Sequence, residues 1–143
     1  MRVAFASDDE NETTRAVVAA LADAGHEIIR PDAAESWPDL GRFVGRAVVD
    51  GRADYGVVMC WTGTGTAIAA NKVPGVRAAL AWDPWIARGA RLWNDANVLA
   101  MSLKRTAPDV AVEIVDAFLG EQTPDSEELE NIGLIDRWHE GRS

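Results

Sequence analysis

The sequence predicts an α/β fold of the Rossmann-like kind: three layers, α/β/α, around a five-stranded parallel sheet. Three observations carry the prediction. Short apolar runs rich in Val, Ala and Ile recur along the chain. Between them lie stretches whose apolar residues fall at three- and four-residue spacing, and glycine, proline or Asp/Asn clusters punctuate the joins. Strands alternating with helices build a parallel sheet through right-handed crossovers, with helices on both faces.

Residues 2–7 (RVAFAS) read as a short buried strand, after which Ser7-Asp8-Asp9 is placed to cap a helix over about 12–24. Gly25 ends that helix, and His26-Glu27-Ile28-Ile29 forms a second strand. A turn-rich stretch over 31–39 leads to a helix over about 40–50, stopped by Gly51. The third strand, from Tyr55, ends in Cys60, and a glycine-spaced loop then runs into an Ala-rich helix carrying Asn71 and Lys72. Val73-Pro74-Gly75 makes a turn before a fourth strand over 76–82. Asp83-Pro84 opens a helix over 85–92, and Asn94-Asp95-Ala96-Asn97 leads into the fifth strand, 98–101. Pro108 starts a final helix with Val110, Ile114, Val115 and Phe118 on one face, ending near Gly120. Residues 1–122 thus read as one domain, and 123–143 as an acidic segment that packs at an interface or frays.

A chain of 143 residues that is 48% hydrophobic can bury a real core. Its formal net charge of −9 argues against nucleic acid or an anionic membrane as partner, since both ask for a basic face. No apolar run is long enough to span a bilayer and MRVAFASDDE lacks a signal-peptide pattern, so the expected location is cytoplasmic. With one cysteine and two histidines, His26 and His139, neither a disulfide nor a conventional zinc site is expected.

The chain is organised around residues 57–72, VVMCWTGTGTAIAANK. Open α/β sheets bind ligands where strands end at their carboxyl edge, and glycines there let backbone N–H groups approach an anionic oxygen. Cys60 falls at that edge, followed by Trp61, Thr62, Gly63, Thr64 and Gly65. A lone cysteine after an apolar strand is commonly a buried small hydrophobe. A loop of small and hydroxyl residues directly after the thiol gives it the surroundings of a general base, with donors for a developing oxyanion.

Four motifs, in order and spacing, resemble the ribose-5-phosphate isomerase B and galactose-6-phosphate isomerase family. They are Cys60-Trp61-Thr62-Gly63-Thr64-Gly65 with Ile68-Ala69-Ala70-Asn71-Lys72; Pro74-Gly75 with Arg77-Ala78; Asn94-Asp95-Ala96-Asn97-Val98-Leu99-Ala100; and Ile114-Val115-Asp116-Ala117. The resemblance spans roughly residues 2–122. It implies a homodimer, or a tetramer of paired dimers, with active sites at the subunit interface, a sugar or sugar phosphate as substrate, and no metal or organic cofactor. It implies Cys60 as the base of an aldose–ketose isomerisation through a cis-enediolate, Thr62 and the amides of the loop as the oxyanion site, and Asn94 and Asp8 as substrate contacts. The alternative role for Asp8 is helix capping.

The departures from the family pattern fall on functional positions. A phosphate-holding histidine is replaced by Asp9, and two C-terminal arginines align with Glu127 and Asn131. Carboxylates where cations belong make an anion pocket repulsive. Lys104, near another family arginine, remains as a replacement cation, as do Arg105, Arg137 and Arg142. Trp93 stands where the family's ring-opening histidine stands, and indole N–H donates without useful basicity. Trp61 replaces the first glycine of the loop, and Trp37 precedes Pro38 where relatives often carry an aromatic. Trp37, Trp61 and Trp93 near one cleft could stack on the apolar face of a sugar, whereas Trp82, Trp85 and Trp138 read as packing residues.

Three functions stay open on these residues: an isomerase acting on something other than ribose 5-phosphate, neutral or even amine-bearing; a phosphosugar isomerase with a rearranged phosphate site; and a non-catalytic binding or partner subunit.

Overall fold

The computed structural model describes residues 1–33, 36–120 and 123–140, with His139 and Glu140 as backbone only. Arg142 therefore lies outside the described residues. The chain runs β1 (Arg2–Ser7), α1 (Glu12–Asp23), β2 (Glu27–Ile29), α2 (Trp37–Val49), β3 (Tyr55–Cys60), α3 (Thr64–Asn71), β4 (Ala78–Leu80), α4 (Pro84–Asn94), β5 (Val98–Ser102), α5 (Pro108–Gly120), a short 3-10 turn (Ser126–Glu128) and α6 (Leu129–Glu140). The strands form one five-stranded sheet in the order β2-β1-β3-β5-β4, every neighbouring pair parallel. The predicted fold class is the observed one.

A parallel sheet is covered on both faces, which is why its strands read as unbroken apolar runs. Val3, Phe5, Val57, Met59, Leu99 and Met101 turn to one face, under Val17 and Leu21 of α1, Ala87 and Ala90 of α4, and Ile114 and Phe118 of α5. Ala4, Ala6, Val58, Val98 and Ala100 turn to the other, under Leu40, Val44 and Ala47 of α2 and Ala67 and Ala70 of α3. The small residues on this second face let α2 and α3 lie close. A Cβ on Gly41 of α2 would come within 2.7 Å of Ala69 Cβ and 2.8 Å of the Thr66 carbonyl.

Three elements differ from expectation, and a C-terminal helix adds to it. The cap of α1 is Asn11, whose side chain accepts from the Thr14 amide at 3.0 Å, so Asp8 is released from the capping role. The second helix begins at Trp37 rather than near residue 40, because Pro38 is well placed in a first turn and Ser36 precedes it. The fourth strand keeps only Ala78–Leu80, since it is an edge strand paired with β5 alone, and Val76 is drawn into a turn by Val73. The acidic segment carries α6, which is anchored on its own chain. Ile132 is buried, the Asp125 amide donates to the Leu92 carbonyl at 2.7 Å, and Arg77 Nη1 meets Asp136 at 3.1 Å.

Candidate active site

β1 leads back to β2 on one side and its other neighbour is β3, so the crevice beyond the carboxyl ends of β1 and β3 is the topological switch point of the sheet. Asp8 and Asp9 follow β1 there, and Cys60 closes β3. Strand register and loop bonds hold these groups together: the Asp8 amide donates to Met59 O at 2.9 Å, and Leu103 N donates to Cys60 O at 2.9 Å. The chain after β5 is laced onto the next residue, with Ser102 Oγ on Trp61 O at 2.6 Å and Lys104 N on the same carbonyl at 3.3 Å. Lys104 is thereby held beside the loop.

Gly63 makes the turn from strand to helix. It sits at φ +80°, and an added Cβ would meet Met101 backbone carbon at 2.8 Å and Leu80 Cδ1 at 2.6 Å. Both the backbone conformation and the space demand glycine. Trp61 is accommodated in the loop because its φ is not left-handed: Asp95 is the one non-glycine among the described residues with positive φ.

Cys60 is 6% exposed. The hydroxyl of Thr66, itself fully buried, lies 3.3 Å from its sulfur. Burial pushes the Cys60 thiol up, but hydrogen bonds from the Thr66 hydroxyl, the Thr66 and Gly63 amides and the Thr62 hydroxyl outweigh it, and the thiol titrates below its ordinary value. Thr62 and Thr64 share a hydroxyl bond of 2.7 Å at the exposed lip of the loop. The start of α3 thus presents hydroxyls and helix-end amides beside a thiol that ionises readily.

Two hollows open at this edge of the sheet. One, of about 480 Å³, is acidic: Asp8, Asp9, Glu10 and Asp32 line it together with Arg30, which pairs with Glu10 at 3.6 Å. The other, of about 370 Å³, is walled by Trp61, Trp82 and Leu80 with Thr62, Lys104 and Arg105. Trp37 covers Gly65 from the α2 side, its ring 3.0 Å from where a Cβ would be.

Trp93 and Asn94 are not brought to this cleft. They end α4, which runs from the carboxyl edge of the sheet back to its amino edge over 11 residues, a length of about 16 Å. Neighbouring bonds confirm the edge: Arg91 Nη2 reaches the hydroxyl of Tyr55 at the start of β3, and Asn97 N donates to Arg77 O ahead of β4. The indole of Trp93 lies against Gly89 and edge-on to Trp85, centroids 5.6 Å apart. Glu127 and Asn131 stand near the same edge, where Asp125 bonds Leu92. One chain therefore holds the thiol and its loop at one edge of the sheet and Trp93, Asn94 and Glu127 at the other.

The ribose/galactose isomerase family model matches residues 3–135. This chain belongs to that family. It is 39% identical over 110 residues to ribose-5-phosphate isomerase B of Escherichia coli, covering 74% of each chain. It is 40% identical over 83 residues to the D-erythrulose-4-phosphate isomerase of Pectobacterium atrosepticum, covering 58% of this chain and 55% of that protein. Its structure superimposes on ribose-5-phosphate isomerase B of Clostridium thermocellum with a TM-score of 0.91 at 35% identity over the whole of both chains. It is an isomerase of the sugar phosphate isomerase family.

Within this ribose/galactose isomerase scaffold, two features escaped the sequence. Thr66 was legible only as one more loop hydroxyl, because nothing in a linear pattern says that the first turn of α3 folds it back onto Cys60. Trp82, Trp85 and Trp138, read as packing residues, are each 66% exposed and lie outside this chain's core. The buried side of α4 is taken by Ala87, Gly89, Ala90 and Arg91, which leaves Trp85 outside.

Proposed function

We propose that this family member is an aldose–ketose isomerase with Cys60 as its base, acting on a small polyhydroxylated carbonyl compound other than ribose 5-phosphate. The observation that carries the reading is the thiol at the switch point, buried but surrounded by donors that favour its thiolate. Thiolate takes the proton from the carbon beside the carbonyl, and the C–H electron pair becomes the double bond of a cis-enediolate. The loop amides and Thr62 hold the oxygen on which charge develops. The proton of the neighbouring hydroxyl passes to the charged oxygen, the Cys60 thiol returns its own proton to the former carbonyl carbon, the neighbouring oxygen becomes the new carbonyl, and the thiolate is regenerated. The acidic hollow of Asp8, Asp9, Glu10 and Asp32 favours hydroxyls or an amine over a phosphate at that end.

A second copy of the chain completes the site in this reading, laying its Trp93–Asn94 edge over the Cys60 loop. Support comes from the separation of the two sets within one chain and from the exposed indoles around them. A phosphosugar substrate is the second reading, favoured by Lys104 and Arg105 at the rim of the other hollow and by the phosphosugar substrates named for the relatives.

The test is proton exchange and ketose formation followed by NMR in deuterated water, with ribose 5-phosphate beside unphosphorylated pentoses, hexoses and tetroses and with Cys60→Ala as control. Turnover confined to unphosphorylated compounds supports the first reading. Comparable turnover of ribose 5-phosphate supports the second, and unchanged activity in Cys60→Ala overturns both.

A further inference from the structure

Thr66 has one hydroxyl hydrogen and two acceptors within reach. Its Oγ1 lies 3.3 Å from Cys60 Sγ and 3.4 Å from Gly63 O, and the residue is fully buried, so water does not compete for either bond. The Gly63 carbonyl has another donor, Ala67 N at 3.3 Å, and stays satisfied without Thr66. The hydroxyl is therefore free to turn. With Cys60 ionised, it donates to the sulfur, a charge-assisted bond. With Cys60 protonated, the thiol can donate to Thr66 Oγ1 while the hydroxyl donates to Gly63 O. Every buried polar group is partnered in both states.

We propose that Thr66 is a positioning residue for the base, its hydroxyl rotating between Cys60 and the Gly63 carbonyl as the proton leaves and returns. This rests on the reading of Cys60 as the base. No proton passes through Thr66; it follows the charge on the sulfur, and so lowers the cost of forming thiolate without trapping the thiol. The charged side chains on the surrounding elements are Asp8, Asp9 and Glu10 after β1, Asp39, Arg42 and Arg46 on α2, and Lys104 and Arg105 after β5. α3 itself, Thr64–Asn71, carries none. Mutation of Thr66 leaves all of these in place, so its effect on the thiol reports the hydroxyl alone.

The experiment titrates the resting thiol, without substrate, by thiolate ultraviolet absorbance and by the pH dependence of alkylation. Cys60 is the only cysteine, and Cys60→Ala supplies the baseline. Thr66→Val and Thr66→Ala are expected to lower the thiolate fraction near neutral pH about tenfold, the loss of one charge-assisted bond. Thr66→Ser restores it, and the acidic limb of kcat/KM moves with the titration. Unchanged titration in the two hydroxyl-free variants overturns the proposal, as does a serine variant that behaves like valine. Because the titration needs no turnover, its failure is distinct from that of the isomerase reading, which Cys60→Ala tests.

Discussion

The indole of Trp37 rests on Gly65: a Cβ at that glycine would lie 3.0 Å from both Cε3 and Cζ3 of the ring. The first turn of α2 therefore supports the loop after Cys60 directly. Gly65→Ala is expected to displace the indole and raise KM about tenfold, with little change in melting temperature, because the ring is exposed and can shift. Steady-state kinetics beside thermal denaturation check this.

Gly63→Ala should behave differently. Here the added methyl meets Met101 backbone, which cannot move aside, and the left-handed φ adds its own cost. A loss of about 2–4 kcal/mol of stability is expected, together with loss of activity. Denaturant unfolding measures the first, the isomerase assay the second.

The depressed Cys60 thiol fixes the sign of two pH effects. Activity should rise with pH along an acidic limb that lies below the ordinary thiol value of about 8.5. Between the folded and unfolded titrations the unfolded chain binds more protons, so stability also rises with pH across that window and is lost as pH falls through the folded value. Cys60→Ala should abolish both dependences attributable to this group, as read from pH–rate profiles and unfolding curves.

Arg91 is 2% exposed and bonds Asp95 at 3.2 Å, Ala96 O at 2.5 Å and the Tyr55 hydroxyl at 2.7 Å. It fixes the left-handed turn after Asn94 jointly with Arg77, which reaches Asp95 at 3.0 Å. Arg91→Met should cost roughly 3 kcal/mol by stranding these acceptors. Circular dichroism melting is the measurement.

Lys104 and Arg105 separate the two substrate readings. Replacing both with alanine should abolish competitive inhibition by inorganic phosphate if a phosphosugar is the substrate, and leave kcat/KM for an unphosphorylated sugar within about threefold if it is not. Inhibition kinetics decide between them.

The layer order and the place of Cys60 were legible because a parallel sheet leaves a plain trace: apolar strands, capped amphipathic helices and a glycine loop at a strand end. The start of α2 was hidden by turn-like residues, Ser36-Trp37-Pro38, that a helix N-terminus uses equally well. The 129–140 helix was hidden by its acidity, since its docking depends on Ile132 and on Arg77, 59 positions from its partner Asp136. Trp93 and Asn94 read as companions of Cys60 from the motifs alone. Only the direction of α4 shows that one chain holds them apart.

All six tryptophans, Trp37, Trp61, Trp82, Trp85, Trp93 and Trp138, lie outside the core. The intrinsic fluorescence of this protein is therefore a gauge of its surface. Emission from a single copy of the chain will be red-shifted and open to aqueous quenchers even while the chain is fully folded. A blue shift on concentration, or on adding a sugar, will report an indole being covered by a second copy or by ligand, on a background that the buried core does not contribute.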